Sequence, residues 1–182
     1  MLIPISPLTK YLTTSLIAPH GITDLVHAKE TNHTMQLLTT YSLTNGGVLG
    51  LHYMHYDNAV NILLFLASVM HFQRDIPFRN KTLLTSMMLL YFIFLDNNSL
   101  FFYLSTIHVP HHYKLSWPFL KKDKSFSFFI IGATTALSMY FGNMYYEYYK
   151  DPLIFTILKG IICSHICYEE MYIYSKESEK HK

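Results

Sequence analysis

The feature that most constrains this chain is a histidine followed four residues later by a second metal-binding or hydrogen-bonding side chain. It occurs four times, as His20/Asp24, His71/Asp75, His108/His112 and His165/Glu169. Residues i and i+4 of an α-helix lie on one face, one turn apart. Each pair also falls near the end of an apolar segment. The pattern therefore predicts a metal site inside a helix bundle.

Composition indicates which kind of bundle to expect. The 182 residues are 51% hydrophobic and 14% charged, whereas about 25% of the residues in an ordinary soluble domain are charged. A net charge of +2 without a basic stripe argues against nucleic acid as a partner. We therefore expect an all-α, polytopic membrane helix bundle of about six to seven transmembrane helices around a buried histidine metal site. Residues 1–174 would form this single transmembrane domain, embedded in a lipid bilayer, and residues 175–182 a polar tail.

The distribution of charge predicts an orientation for that bundle. His20, His71, His108 and His165 fall on alternate apolar segments, each roughly ten to fifteen residues after its segment begins, which at about 1.5 Å per residue places them at one level. Basic residues concentrate on the side reached after each histidine, for example Arg74 and Lys121. The positive-inside rule then predicts a multi-pass protein with its N-terminus outside and its C-terminus in the cytoplasm.

Four histidines are the strongest candidates for metal ligands, and hence for catalytic residues. They are His20, His71, His108 and His112. Ionisable groups inside apolar segments are costly, so each is by default a functional residue. Neutral imidazoles bind iron, zinc or copper well. The sequence therefore predicts a four-histidine site in apolar surroundings, which would suit a lipophilic substrate.

Three carboxylates are expected to orient these imidazoles. A metal-bound histidine usually donates its second ring N–H to a carboxylate or carbonyl oxygen. Asp24, Asp75 and Glu169 are the acceptors expected at the i+4 positions. His165 is either a fifth ligand or a hydrogen-bond partner of the site.

The remaining histidines are expected to lie away from the metal. The predicted topology places His52 and His55 at the opposite interface. Position along the chain predicts that His27, His33 and His181 face solvent, and His111 points away from the face that carries His112.

The ordered set of motifs resembles the Brp/Blh family of β-carotene 15,15′-dioxygenases. Pro19-His20-Gly21 with Asp24 looks like that family's Pro-His-Gly-Ala-x-Asp motif, and His71-Phe72 with Asp75 resembles its second motif. The run from Ile107-His108 to His112 is similar to its Ile-His-x-x-x-His motif. His165 with Glu169 resembles its final His-x-x-x-Asp motif, with glutamate in place of aspartate.

The resemblance implies a membrane enzyme that binds Fe(II) through histidines corresponding here to His20, His71, His108 and His112. The implied reaction is central cleavage of β-carotene by O2 to two retinals, with the carotenoid and O2 as partners. Two alternatives remain open. His108-x-x-His111-His112 also fits the histidine box of membrane di-iron hydroxylases. A non-enzymatic membrane protein would use the same residues as a structural polar network.

Overall fold

The computed structural model describes residues 13–95, 97–148 and 152–174, and in these ranges every regular element is helical, as the sequence predicted. The eight main helices are α1 (Thr23–Thr31), α2 (Thr34–Tyr53), α3 (Asp57–Phe72), α4 (Lys81–Phe94), α5 (Asn97–Tyr103), α6 (Val109–Leu120), α7 (Lys124–Tyr148) and α8 (Pro152–Tyr168). Short helical turns connect or extend them at Thr13–Ile17, Ala18–His20, Gln73–Asp75, Leu104–His108 and Glu169–Tyr174.

Local sequence explains where several helices begin and end. Asn32 adopts the left-handed conformation that closes α1, with φ of 58°, and asparagine tolerates this region better than most residues. Ile76 is extended because Pro77 follows it and disfavours helical backbone at the preceding residue. Asp123 caps α7, since its Oδ1 accepts the backbone N–H of Phe126 at 3.0 Å.

The predicted membrane architecture is wrong. In the ranges described, no helix combines the length and the apolar character that a bilayer crossing requires. A crossing takes about 20 mainly apolar residues. Helices α3, α4 and α8 have 16, 14 and 17 residues, and the longer helices α2 and α7, of 20 and 25 residues, are interrupted by polar residues and glycine. This finding contradicts three predictions: the polytopic bundle of six to seven transmembrane helices, the multi-pass location, and the orientation with a cytoplasmic C-terminus. The polar tail at 175–182 lies outside the described residues.

Two apolar clusters flank the interior where the histidines lie. The first joins α3, α4 and α5 through Val69, Phe72, Leu89, Phe92 and Tyr103. The second joins α1, α2 and α8 through Ala28, Leu37 and Tyr168. Burial of such side chains contributes about 1.5–3 kcal/mol each. The two clusters hold α3 and α8 on either side of the site.

Helix α2 packs closely along α8. Gly160 permits this approach, because a Cβ at that position would lie 2.4 Å from Oδ1 of Asn45. Asn45 also donates from Nδ2 to Oγ of Ser164 at 2.8 Å. This contact fixes α8, and therefore His165 and Glu169, against the rest of the bundle.

Candidate metal centre

Five buried imidazoles converge in the interior of the bundle: His20, His71, His108, His112 and His165. The centroid of the His20 ring lies 5.5, 5.3 and 4.9 Å from those of His108, His112 and His165. The His71 ring lies 5.0, 5.1 and 5.7 Å from the same three rings. The structure thus brings the four predicted ligands into one cluster and adds His165 to it.

Irregular helical turns supply several of these groups. His20 ends the turn Ala18–His20, which follows the π-helical turn Thr13–Ile17. His108 ends a second π-helical turn, and Glu169 begins a third. π-Helical turns are rare and occur often at functional sites. Three residues of the cluster thus lie at or next to π-helical turns.

Hydrogen bonds at Nδ1 orient four of the five rings. Nδ1 of His108 donates to Asp75 at 2.8 Å, that of His112 to Glu169 at 2.8 Å, and that of His165 to Asp24 at 2.9 Å. His20 donates instead to the carbonyl oxygen of Ile17. With the proton on Nδ1, a neutral ring has its lone pair on Nε2, which is the arrangement of metal-bound histidine.

The carboxylates hold histidines of other helices. Asp24 binds His165 and not His20 four residues before it, and Asp75 binds His108 and not His71. Glu169 binds His112 through Oε1. The i+4 spacing identified the carboxylates that contact the cluster but predicted the wrong imidazole partners for them. The spacing describes one helix and cannot say which helices pack together.

His71 is placed between two glutamates. Its Nε2 lies 3.6 Å from Oε2 of Glu169, and its Nδ1 lies 3.6 Å from Oε1 of Glu170. Arg74 holds Glu170 by a two-pronged contact in which Nε donates to Oε1 at 2.8 Å. Glu170 therefore has a role that sequence reasoning missed, and its position next to Glu169 gave no separate signal.

Two tyrosines extend the carboxylate network and were also missed. Tyr41 donates to Oδ2 of Asp24 at 2.8 Å, and Tyr103 donates to Oδ2 of Asp75 at 2.8 Å. Asp75 further accepts from Nδ1 of the partly exposed His111 at 2.7 Å. Each aspartate is thus fixed from more than one direction, and a fixed acceptor fixes the ring that donates to it.

Burial keeps most of the cluster in the form that binds metal. It lowers the pKa of His20, His71 and His108, and neighbouring imidazoles add to this effect at His20 and His108. It lowers the pKa of His112 to about 3. These rings are neutral near pH 7, and a neutral imidazole is the species that coordinates a cation.

His165 differs from the other rings. Burial works to lower its pKa, but attraction to Glu169 and Asp24 outweighs burial and raises the pKa to about 9. Burial also raises the pKa of both carboxylic acids, against the pull of His165. Positive charge is therefore favoured at this end of the cluster, which is what a bound cation would supply.

The ligand atoms divide into two groups that share His112. In one group the candidate atoms of His20, His108 and His112 all lie within 4.8 Å of one another. In the other, the same limit holds for His71, His112, His165 and Glu169. His20 and His71 fall in different groups, so the described chain does not gather the four predicted ligands around one point. Either group could hold a metal ion.

None of the other described histidines belongs to either group, although His111 reaches Asp75 beside His108. His52 and Asp57 form an exposed pair at 2.6 Å, and His55 is exposed. The solvent-facing prediction for His27 is wrong, because its side chain is buried and Nδ1 lies 3.0 Å from the Tyr168 hydroxyl. His33 is partly buried, and His181 lies outside the described residues.

Comparisons with protein-family models, with curated proteins and with solved structures found no match to this chain.

Proposed function

We propose that this protein is an iron(II)-dependent oxygenase that cleaves a carotenoid, with β-carotene as substrate and retinal as product. The observation that carries the proposal is the all-imidazole group of His20, His108 and His112. All three rings are buried, and each donates from Nδ1 to a carbonyl or carboxylate oxygen. Iron(II) bound there would supply the activation of O2. Three protein ligands leave coordination positions for other molecules, as in catalytic metal sites generally.

The surrounding residues support oxidative chemistry on an apolar molecule. The Phe72 ring packs edge-on against His108, with centroids 4.6 Å apart, and contacts Tyr103 in turn. Such packing limits the access of water to the ring of His108. Asp75 accepts a hydrogen bond from Nδ1 of His108, and this bond fixes the ring and increases the basicity of Nε2.

The substrate part of the proposal rests on the motif resemblance. In the implied reaction, the central double bond of β-carotene is broken and each of the two new carbonyl groups receives one oxygen atom of O2. That stoichiometry needs no external reductant. The ordered motifs around His20, His71, His108 and His165 support this substrate class.

The test is anaerobic loading with iron(II), followed by measurement of iron content and of retinal formed from β-carotene in detergent micelles under ¹⁸O2. We expect bound iron, and retinal carrying label in both product molecules. His108→Ala should lose retinal formation. His55→Asn is the control, because His55 is exposed and asparagine tolerates its positive φ of 63°.

Different results would contradict the metal centre and the substrate. A wild-type chain that binds no iron would contradict the metal centre and leave the imidazoles as a structural polar network. A chain that binds iron but yields no retinal would contradict the substrate.

A further inference from the structure

The part of the cluster that the proposed oxygenase site does not use is a second set of inward-facing donors. His71, His165 and Glu169 lie beside the all-imidazole group and have ligand atoms within 4.8 Å of one another and of His112. Two imidazole nitrogens and one carboxylate oxygen are a donor set that binds iron(II) and other divalent cations in proteins.

Two atoms in this set are buried without a hydrogen bond. Nε2 of His165 and Oε2 of Glu169 are shielded from solvent, and neither has a hydrogen-bond partner within the described residues. They lie 3.8 Å apart, and Oε2 of Glu169 is 3.6 Å from Nε2 of His71. A buried polar atom left unsatisfied costs about 1–3 kcal/mol, more when it is charged. These two unsatisfied atoms, with Nε2 of His71 beside them, are explained by a cation between the three side chains.

The other polar atom of each of these two side chains already has a hydrogen-bond partner. Oε1 of Glu169 accepts from His112, and Nδ1 of His165 donates to Asp24. These contacts hold both residues in place while Oε2 and Nε2 face inward. Glu169 is therefore positioned to be a ligand and not only an acceptor that orients His112.

The negative charge of the surrounding carboxylates also favours a second cation. Three buried carboxylates, Asp24, Asp75 and Glu169, contact the imidazole cluster. Buried charges persist in proteins when they are paired or coordinate metals. One divalent cation offsets two of these three negative charges and leaves the third to a protonated imidazole, whereas two cations offset all three with every ring neutral. Glu170 does not enter the sum, because Arg74 neutralises it.

We propose that the centre holds two divalent cations, the second bound by His71, His165 and Glu169. The first is the ion of the proposed oxygenase site at His20, His108 and His112. The two positions are neighbours because His112 belongs to both donor groups. This inference rests on the proposed metal centre and is independent of the proposed substrate.

The test uses the full chain, stripped of metal and titrated anaerobically with Co(II), followed by electron paramagnetic resonance. The high-spin signal should grow up to one equivalent and then fall as the second ion couples magnetically to the first. A signal that saturates at one equivalent and stays constant would overturn the second site while leaving the first. Absence of any bound Co(II) or iron(II) would overturn both.

Iron content of variants assigns the ligands. After anaerobic iron(II) loading and gel filtration, we expect two ions per chain in wild type and in His55→Asn. Glu169→Gln keeps the size of the side chain and an oxygen for His112, and should retain one ion. His20→Ala should also retain one ion, lost from the other position. Two ions in Glu169→Gln would contradict the assignment of Glu169 as a ligand.

Discussion

Asp24 accepts a hydrogen bond from His165, 141 residues away along the chain, and not from His20 on its own segment. Tyr41 donates to the same carboxylate oxygen. The bond ties α1 to α8 across the imidazole cluster, and Asp24 is therefore a positioning residue for a ring on another helix.

Loss of the Asp24 charge should weaken metal binding. Asp24→Asn keeps an oxygen that can accept from His165 but removes the negative charge that strengthens the bond. Partners of this kind typically contribute 10–100-fold to metal affinity, so we expect the dissociation constant to rise by roughly that factor, measured by competition with a chromophoric chelator. Asp57→Asn is the matched control, because Asp57 binds His52 in the same way but in an exposed pair. Equal affinities for the two variants would contradict the role of Asp24.

Metal binding should stabilise the fold, and His112 should be essential to that effect. An ion that binds only the folded chain adds about 4 kcal/mol to the free energy of unfolding when its free concentration is 1,000 times the dissociation constant. Because His112 is a ligand of the first proposed ion and its Nδ1 holds Glu169, a ligand of the second, His112→Ala should lose most of the increase seen on adding iron(II). Thermal unfolding with and without a chelator measures this. An undiminished increase in His112→Ala would place the ions elsewhere.

The Arg74–Glu170 contact should make stability depend on acid pH. Burial works to raise the pKa of Glu170, but the hydrogen bonds from Arg74 and the nearby ring of His71 outweigh it and lower the pKa from 4.5 to about 2. A carboxylate with a depressed pKa contributes stability above its unfolded value, and that contribution is lost as pH falls towards its folded value. The difference in unfolding free energy between metal-free wild type and Glu170→Gln should therefore shrink between pH 4.5 and pH 2. Chemical denaturation at several pH values tests this, and a difference that does not change with pH would contradict it.

Gly160→Ala should destabilise the bundle. The added Cβ would lie 2.4 Å from Oδ1 of Asn45, so α2 and α8 must separate or Asn45 must lose its bond to Ser164. Overpacking of this kind costs about 1–3 kcal/mol. Gly47→Ala is the control, because nothing lies within 4 Å of a Cβ there, and alanine in a helix interior gains about 0.5–1 kcal/mol over glycine. Urea denaturation of both variants gives the comparison, and equal stabilities would show that α2 and α8 do not pack as described.

The sequence predicted the helical fold and which polar residues meet, because spacing along a helix decides which side chains share a face. It did not predict the partners, because those depend on which helices pack together. Glu170 and Tyr41 carried no periodic signal of their own. The membrane prediction failed because the apolar fraction of a sequence does not show which apolar side chains are buried and which lie on the surface. In the structure, apolar side chains occupy both the interior and outward faces, as at Phe94, which is 74% exposed.

The long separation between Asp24 and His165 also orders events during synthesis. At about 5–20 residues per second, a ribosome adds the 141 residues that follow Asp24, up to and including His165, in roughly 7–28 s. Throughout that interval the nascent chain carries His20 and Asp24 without the helix that completes their surroundings. Assembly of the proposed metal centre in its final geometry must therefore wait until α8 has emerged and docked.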